Sequence, residues 1–342
     1  MKLPLLIEGR ISREQWEYLS EDATNRLAED IFKHYRSMGF PYYEFSEQEK
    51  IHELGKLQGF FDRGGDAIIE EDKIRMTMHG LALAWSYFPH SWEVRSNKMK
   101  TPFEVYSDDE LFMKAIRRRL KRGTYFSESG IRKALRTYSG TQGVSNFRPT
   151  AAGAIYKKYC PKGGTVWDMS CGYGGRLLGA LISRVVGRYI GTEPCSETFD
   201  GLMKMKNELF PSMNAIVLKC GSEDFVPTPN TLDLCFTSPP YFNTEKYSDE
   251  ETQSYKKFES KESWNEKFLR QTIKNCLVGL KAGGHLIINI ANVKSHQTLE
   301  SDTIKICLEE GLSHVEALKL LLSSISKGGY KSEPVFVFRK QG

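Results

Sequence analysis

Four short stretches of this sequence carry residue types that can do chemistry, and each follows an apolar run. F-T-S-P-P-Y-F (236–242) puts Ser238, Pro239, Pro240 and Tyr241 behind the run Leu232 to Thr237. Proline has no N–H for a sheet ladder and fixes its own φ, so a strand ending there has to stop and the turn after it is stiff. A serine and a tyrosine are thereby held in place. D-M-S-C-G-Y-G-G (168–175) offers Asp168, Ser170, Gly172 and Gly174 ahead of a helical pattern. Glycine lets a backbone approach a ligand closely, and a helix amino terminus adds a positive partial charge. Glu193 follows the next apolar run, placed to accept hydrogen bonds from a pair of ribose hydroxyls. G-S-E-D-F (221–225) then offers Ser222, Glu223 or Asp224 to an adenine edge. Taken singly, Asp168 and Gly172 also fit a plain strand-to-helix turn, and Glu193 a helix-capping acid.

The elements that must position these residues alternate in type. Strand patterns fall at 165–169, 188–193, 215–220, 232–237 and 285–291, with helical patterns at 176–186, 196–210, 263–280 and near 301–311. Two further strand-like runs, 314–322 and 333–339, close the chain. Strands separated by helices form βαβ crossovers and a mostly parallel, doubly wound α/β sheet covered on both faces. The last two runs fit an antiparallel edge. Ligands of such sheets sit beyond the carboxyl ends of the strands, where all four stretches lie. The glycines at 172, 174 and 179 do not make the dinucleotide G-x-G-x-x-G, and Asp168 stands four residues before the first of them. That spacing favours S-adenosylmethionine over a nicotinamide dinucleotide.

With these residues in order, the region 146–340 resembles the DNA methyltransferases that modify exocyclic amino groups, cytosine N4 or adenine N6. Their [DNS]-P-P-[YFW] signature stands here as Ser238-Pro239-Pro240-Tyr241, and T-S-P-P-Y is most typical of the cytosine-N4 members. F-R-P-T (147–150), L-K-A-G-G (280–284) and E-P-V-F-V-F-R-K (333–340) are further matches. The resemblance implies a seven-stranded SAM-methyltransferase sheet. It further implies a cofactor site drawn from Phe147, Asp168, Ser170, Gly172, Gly174, Glu193, Ser222, Asp224 and Ser238. Methyl transfer would go to an amino group of a flipped base, cytosine N4 ahead of adenine N6. The Ser238 side chain and the Pro239 carbonyl would accept from the amino hydrogens and localise the nitrogen lone pair, the prolines would hold them still, and Tyr241 would stack on the base. No cysteine nucleophile is required. RNA or a protein glutamine is the alternative substrate, and a catalytically inactive nucleic-acid-binding relative the alternative class. For Phe242, Tyr247 and Trp264, core or lid packing stands beside base contact.

The chain has 342 residues, 40% of them hydrophobic and 27% charged, enough for one large or two ordinary domains. Apolar runs such as LALAW (81–85) are far too short to span a membrane, and a cytoplasmic protein, bacterial or phage-encoded, is expected. Seven cysteines without C-x-x-C spacing read as reduced core thiols, and no metal ligation is expected from them or from the seven histidines. Residues 1–145 are expected to form a separate helical, aromatic-rich region that contacts DNA, and 146–342 the catalytic domain. From Lys114 to Arg148 ten Lys or Arg face one acid, Glu128. Arg117, Arg118, Arg119, Lys121, Arg122, Arg132, Lys133 and Arg136 are the candidate contacts to double-stranded DNA, with an idle basic surface as the plain alternative. A monomer or weak dimer is expected.

Overall fold

The structure, a computed structural model, describes residues 14, 18–65, 68–75, 77–121, 127–137, 140–324 and 329–342. The chain divides into two compact units, Met1–Glu44 with Pro89–Val144, and Phe45–Phe88 with Ser145–Gly342.

The larger unit is built on nine strands: β1 (Ile69–Glu70), β2 (Lys73–Ile74), β3 (Gly164–Asp168), β4 (Val186–Thr192), β5 (Ala215–Leu218), β6 (Leu232–Thr237), β7 (Leu280–Asn289), β8 (Leu312–Ser324) and β9 (Tyr330–Lys340). Their order across the sheet is β1-β2-β8-β9-β7-β6-β3-β4-β5. Strands β5, β4, β3, β6 and β7 run parallel, whereas β9 pairs antiparallel with both β7 and β8. This is the doubly wound sheet with an antiparallel edge that the sequence predicts. The reversal of order beside β3 opens a crevice at the carboxyl ends of β3 and β6, where a ligand fits. The strands are nearly continuous apolar runs because both faces are covered: Val166, Trp167, Leu234, Cys235 and Phe236 are all fully buried.

The sheet departs from the expected seven strands through β1 and β2, a short hairpin from the amino-terminal region. Residues 45–88 belong to the sheet's unit rather than to a separate region ending at 145. The reason is apolar burial. Leu57, Phe61, Ile74, Leu83 and Trp85 are buried, and a Cβ at Gly153 would fall 2.5 Å from the Phe61 ring. Helix Pro149–Tyr159 therefore presents a glycine where that ring lies. Trp85 and Phe88 close on Tyr173 at centroid distances of 5.0 and 5.5 Å.

The smaller unit packs helices Glu21–Met38, Pro102–Ser107, Asp109–Leu120 and Glu128–Thr137 around Leu27, Ile31, Phe40, Trp92, Phe112 and Leu135. The first helix stops at Gly39, φ 90°, the break its sequence signals. No described helix is long and apolar enough to cross a membrane. All seven cysteines are unpaired, six of them buried, and no cluster of metal-ligating side chains occurs among the described residues.

Candidate active site

A cavity opens at the carboxyl ends of the parallel strands. It is lined by Ser170, Gly172, Glu193, Ser222, Ser238 and Pro240, so six of the sequence-predicted residues meet in one place. The residues of these stretches reach it by different local routes.

After β3 the chain turns through Gly172 and Gly174, at φ 54° and 70°, the left-handed region that glycine adopts without strain. Asp168 is fully buried and does not line the cavity. Its carboxylate accepts from Arg176 Nε (2.9 Å), the Tyr189 hydroxyl (2.8 Å) and the Ser170 amide (3.3 Å). Arg176 also reaches the Ser170 carbonyl. Asp168 therefore clamps the loop to the first turn of helix Gly175–Ser183 and stands behind the cavity rather than in its lining. A charged carboxylate without exposure needs such a cation, and the pair satisfies both groups. Phe147 and Gly174 likewise support the loop from behind. A Cβ at Gly175 would fall 1.9 Å from the Phe147 carbonyl, and one at Gly174 2.7 Å from Met205. The Phe147 ring meets Phe236 edge-on at 5.3 Å.

Glu193, just past β4, is 7% exposed. Its two carboxylate oxygens accept the amides of Gly172 and Cys195, both at 3.0 Å. Burial pushes its pKa up to about 7 against the opposing pull of those two amides. Each oxygen keeps a further lone pair for a ligand donor.

Ser222, Glu223 and Asp224 fare differently. The Ser222 hydroxyl bonds Thr272 Oγ1 at 2.8 Å, and Asn275 Nδ2 donates to the Ser222 and Glu223 carbonyls at 3.1 Å each. Helix Gln271–Gly279 thus fixes this turn. Asp224 points outward, its side chain 57% exposed and paired with Lys257 at 2.7 Å. Glu223 is the acid at the cavity: one carboxylate oxygen pairs with Lys257, while Oε2 is buried without a partner.

The turn after β6 is stiff beyond what its prolines supply. Phe242 sits at φ 56°, a region that costs a bulky residue on the order of 1–3 kcal/mol. Its buried ring is pinned edge-on against Trp264 (6.1 Å) and His296 (6.0 Å). Phe242 and Trp264 are thus core residues, whereas Tyr247 lines the cavity. Tyr241 does not line it. Its ring packs on the core and its hydroxyl lies 3.2 Å from Glu333 and 3.4 Å from the Asn289 carbonyl, with burial and the Glu333 charge holding its pKa well above the ordinary tyrosine range. Pro239 is buried behind Ser238.

Of the segment after this turn, the sequence singled out Tyr247 alone. Tyr247, Thr252, Gln253 and Ser254 form one wall of the cavity. Glu250 accepts from the Ser196 amide and hydroxyl, both 2.9 Å, at the start of helix Ser196–Leu209. Thr252 Oγ1 donates to the Pro194 carbonyl at 3.2 Å, and Lys257 holds the other end at Glu223. Gln253 is 4% exposed and its side-chain nitrogen Nε2 has no partner. Beyond Tyr247, the signal for this strap in the sequence was its length, 22 residues between Tyr241 and Trp264.

In the smaller unit, the basic candidates separate. Lys114, Arg117, Arg118 and Lys121 are exposed at helical spacing along Asp109–Leu120, and Lys133 is exposed on the next helix. Arg132, expected on the surface, is buried. It donates to the Pro41 and Tyr42 carbonyls and covers the Tyr43 ring at 4.2 Å. Arg136 covers Trp92 at 4.1 Å, and Arg119 is half-buried. Aromatic faces attract guanidinium groups, so Arg132 and Arg136 serve the unit's own packing. Arg122 lies outside the described residues.

No protein-family model matches the chain, and neither does any curated protein. Among solved structures it is similar to a SAM-dependent O-methyltransferase from Thermotoga maritima, with 13% identity over 58% of this chain and 68% of that one, TM-score 0.40. It is also similar to a SAM-dependent methyltransferase from Aquifex aeolicus, with 14% identity, 57% and 98% coverage and a TM-score of 0.36.

Proposed function

We propose that this chain transfers a methyl group from S-adenosylmethionine to an exocyclic amino group of a DNA base, cytosine N4 ahead of adenine N6. The observation that carries the reading is one cavity shared by two kinds of group. On one side Glu193, Gly172, Glu223 and Gln253 suit a nucleoside, and on the other Ser238 and Pro240, with Pro239 buried between them in the chain, suit an amine. Buried polar atoms are ordinarily hydrogen-bonded, so the partnerless Glu223 Oε2 and Gln253 Nε2 call for a ligand with a donor and an acceptor of its own. A nucleobase edge carries both, and the free lone pairs of Glu193 suit vicinal hydroxyls. The bound cofactor would supply an electrophilic methyl group on a sulfonium.

The remaining chemistry belongs to the chain. An aromatic amine is a poor nucleophile because its lone pair is delocalised into the ring. Acceptors at the Ser238 hydroxyl and the Pro239 carbonyl draw on the amino hydrogens and favour a pyramidal nitrogen. The two prolines and the strained, pinned Phe242 keep those acceptors from relaxing, which is where preorganisation lowers a barrier. A base inside a duplex cannot reach such a pocket, so the reading includes an extruded base. Cytosine is preferred because T-S-P-P-Y is most typical of the cytosine-N4 enzymes. DNA is preferred because of the exposed cations along Asp109–Leu120.

The test is to incubate the protein with radiolabelled S-adenosylmethionine and, separately, unmodified DNA, RNA and protein, then digest labelled DNA to nucleosides for mass spectrometry. Label in N4-methylcytosine is the expected result. Label confined to RNA or to glutamine would replace the substrate, and absence of label from all three with the cofactor bound would sink the transfer reading.

A further inference from the structure

The lining of the cavity is spread across the sheet in strand order. Strands β6, β3, β4 and β5 lie side by side, and their carboxyl ends contribute Ser238 and Pro240, then Tyr173, then Glu193, then Ser222 and Glu223. On the reading above, the amine end is at β6 and the nucleoside end at β4 and β5. The strap crosses this row in the same order. The Tyr247 ring meets the Tyr173 ring edge-on at 6.1 Å, Thr252 Oγ1 donates to the Pro194 carbonyl at 3.2 Å, and Lys257 pairs with Glu223. Tyr247 is thereby placed at the β3 loop, next to β6, and Gln253 further along toward the nucleoside end.

Tyr173, Tyr247 and Phe268 bring aromatic rings to the cavity. Tyr173 and Phe268 are only 3% and 4% exposed, the first closed in by Trp85 and Phe88 and the second by Trp264 at 4.9 Å. Tyr247 is half-buried and keeps surface to offer. Its hydroxyl donates to the Glu245 carboxylate, so the ring cannot swing away without breaking a charge-assisted hydrogen bond. The Tyr241 ring, by contrast, packs on the core behind the cavity, and its hydroxyl is turned to Glu333 and the Asn289 carbonyl.

We propose that Tyr247 is the aromatic face against which the amine-bearing base stacks, the task that the T-S-P-P-Y resemblance gives to Tyr241. The inference rests on the amino-methylation reading above. A flat heteroaromatic ring presented to Ser238 needs a flat apolar surface beside it, and a tyrosine supplies one while its polar end stays hydrogen-bonded. A ring already tethered at its hydroxyl loses little freedom when the base arrives, so more of the stacking energy appears as binding. Stacking also tolerates different bases, so Tyr247 would hold the ring while Ser238 and the Pro239 carbonyl act on its amino group.

The experiment compares wild type, Tyr247→Leu and Tyr247→Phe. The leucine removes the flat face, whereas the phenylalanine keeps it and loses only the tether. S-adenosylhomocysteine binding is measured by calorimetry, and single-turnover methyl transfer is followed against the concentration of unmodified genomic DNA. Tyr247→Leu is expected to lose about tenfold to a hundredfold in transfer efficiency while binding the product within about twofold of wild type, and Tyr247→Phe to stay within about threefold in both. Tyr247→Met carries the same prediction as the leucine variant if the latter does not fold. Wild-type transfer by Tyr247→Leu would overturn the assignment, as would an equal loss in both variants, which would make the hydroxyl rather than the ring the active feature. A proportional loss of product binding would move the ring to the nucleoside wall and overturn it too. A wild-type protein that binds the cofactor and methylates no DNA, RNA or protein would bring down the underlying amino-methylation reading instead.

Discussion

Ser238 and Glu193 face one cavity, and on the proposed reading their substitutions separate binding from transfer. On that reading Ser238→Ala removes an acceptor for the amine and leaves the nucleoside wall intact. Product binding should stay at wild-type strength while methyl transfer falls about a hundredfold or more, checked by calorimetry beside single-turnover assays. Glu193→Gln should do the reverse first, weakening S-adenosylhomocysteine about tenfold to a hundredfold, the value of losing hydrogen bonds to a charged group. The pH dependence has a defined sign. Folding raises the Glu193 pKa from 4.5 to about 7, so between those values the native state holds more of its proton than the unfolded chain. Its contribution to stability is therefore full below about pH 4.5 and is lost as pH rises through 7. Ligand hydroxyls stabilise the charged form, so affinity should increase with pH over the same window. Calorimetry in buffers of different ionisation enthalpy should record proton release on binding near pH 6.5. Proton uptake there would refute the assignment of Glu193 as a hydroxyl acceptor.

At the scale of elements, the strap from Tyr241 to Phe258 and the helix Asp109–Leu120 make separate predictions. Glu250 joins the strap to the amino terminus of helix Ser196–Leu209, where a carboxylate is favoured by the unpaired backbone amides. Glu250→Ala should cost about 1 kcal/mol of stability and weaken product binding several-fold, because Gln253 and Thr252 are carried on the same segment. Limited proteolysis should cut the variant first within the strap. Cleavage there at the wild-type rate would mean that Glu250 does not hold it. On the basic helix, replacing Arg117, Arg118 and Lys121 together by Ala should weaken DNA binding and flatten its salt dependence by about 0.9 in slope for each phosphate no longer neutralised. Arg132→Ala has a different expected outcome. It should lower the melting temperature, because Arg132 holds the Pro41 and Tyr42 carbonyls within its own unit. The sequence presents all these arginines alike; only packing separates the surface ones from those that cover aromatic rings.

For the whole molecule, the sheet's unit is discontinuous in sequence, and this has a practical consequence. A chain cut to residues 146–342 lacks the hairpin β1–β2 and the side chains of Phe61, Trp85 and Phe88, which cover helix Pro149–Tyr159 and Tyr173. It should melt with lower cooperativity than a chain starting at residue 45, as followed by circular dichroism. The sequence by itself determined the run of strands, the glycines at positive φ, the stiff Ser238 turn and the place of Glu193. These are short-range properties: apolar period, missing amides and φ freedom act over a few residues, and parallel strands bring their carboxyl ends to one edge. Tertiary structure decided the rest. Asp168 and Glu223 look equally acidic in sequence, yet Arg176 and Tyr189 hold the first behind the loop, while the second lines the cavity with its Oε2 buried and without a partner. Gln253 gains its place in the cavity wall from neighbours that the sequence sets well apart from it, and residues 45–88 join the sheet by burying apolar side chains on helices far along the chain. Such choices depend on which surfaces exclude water together, and that is fixed only when distant segments pack.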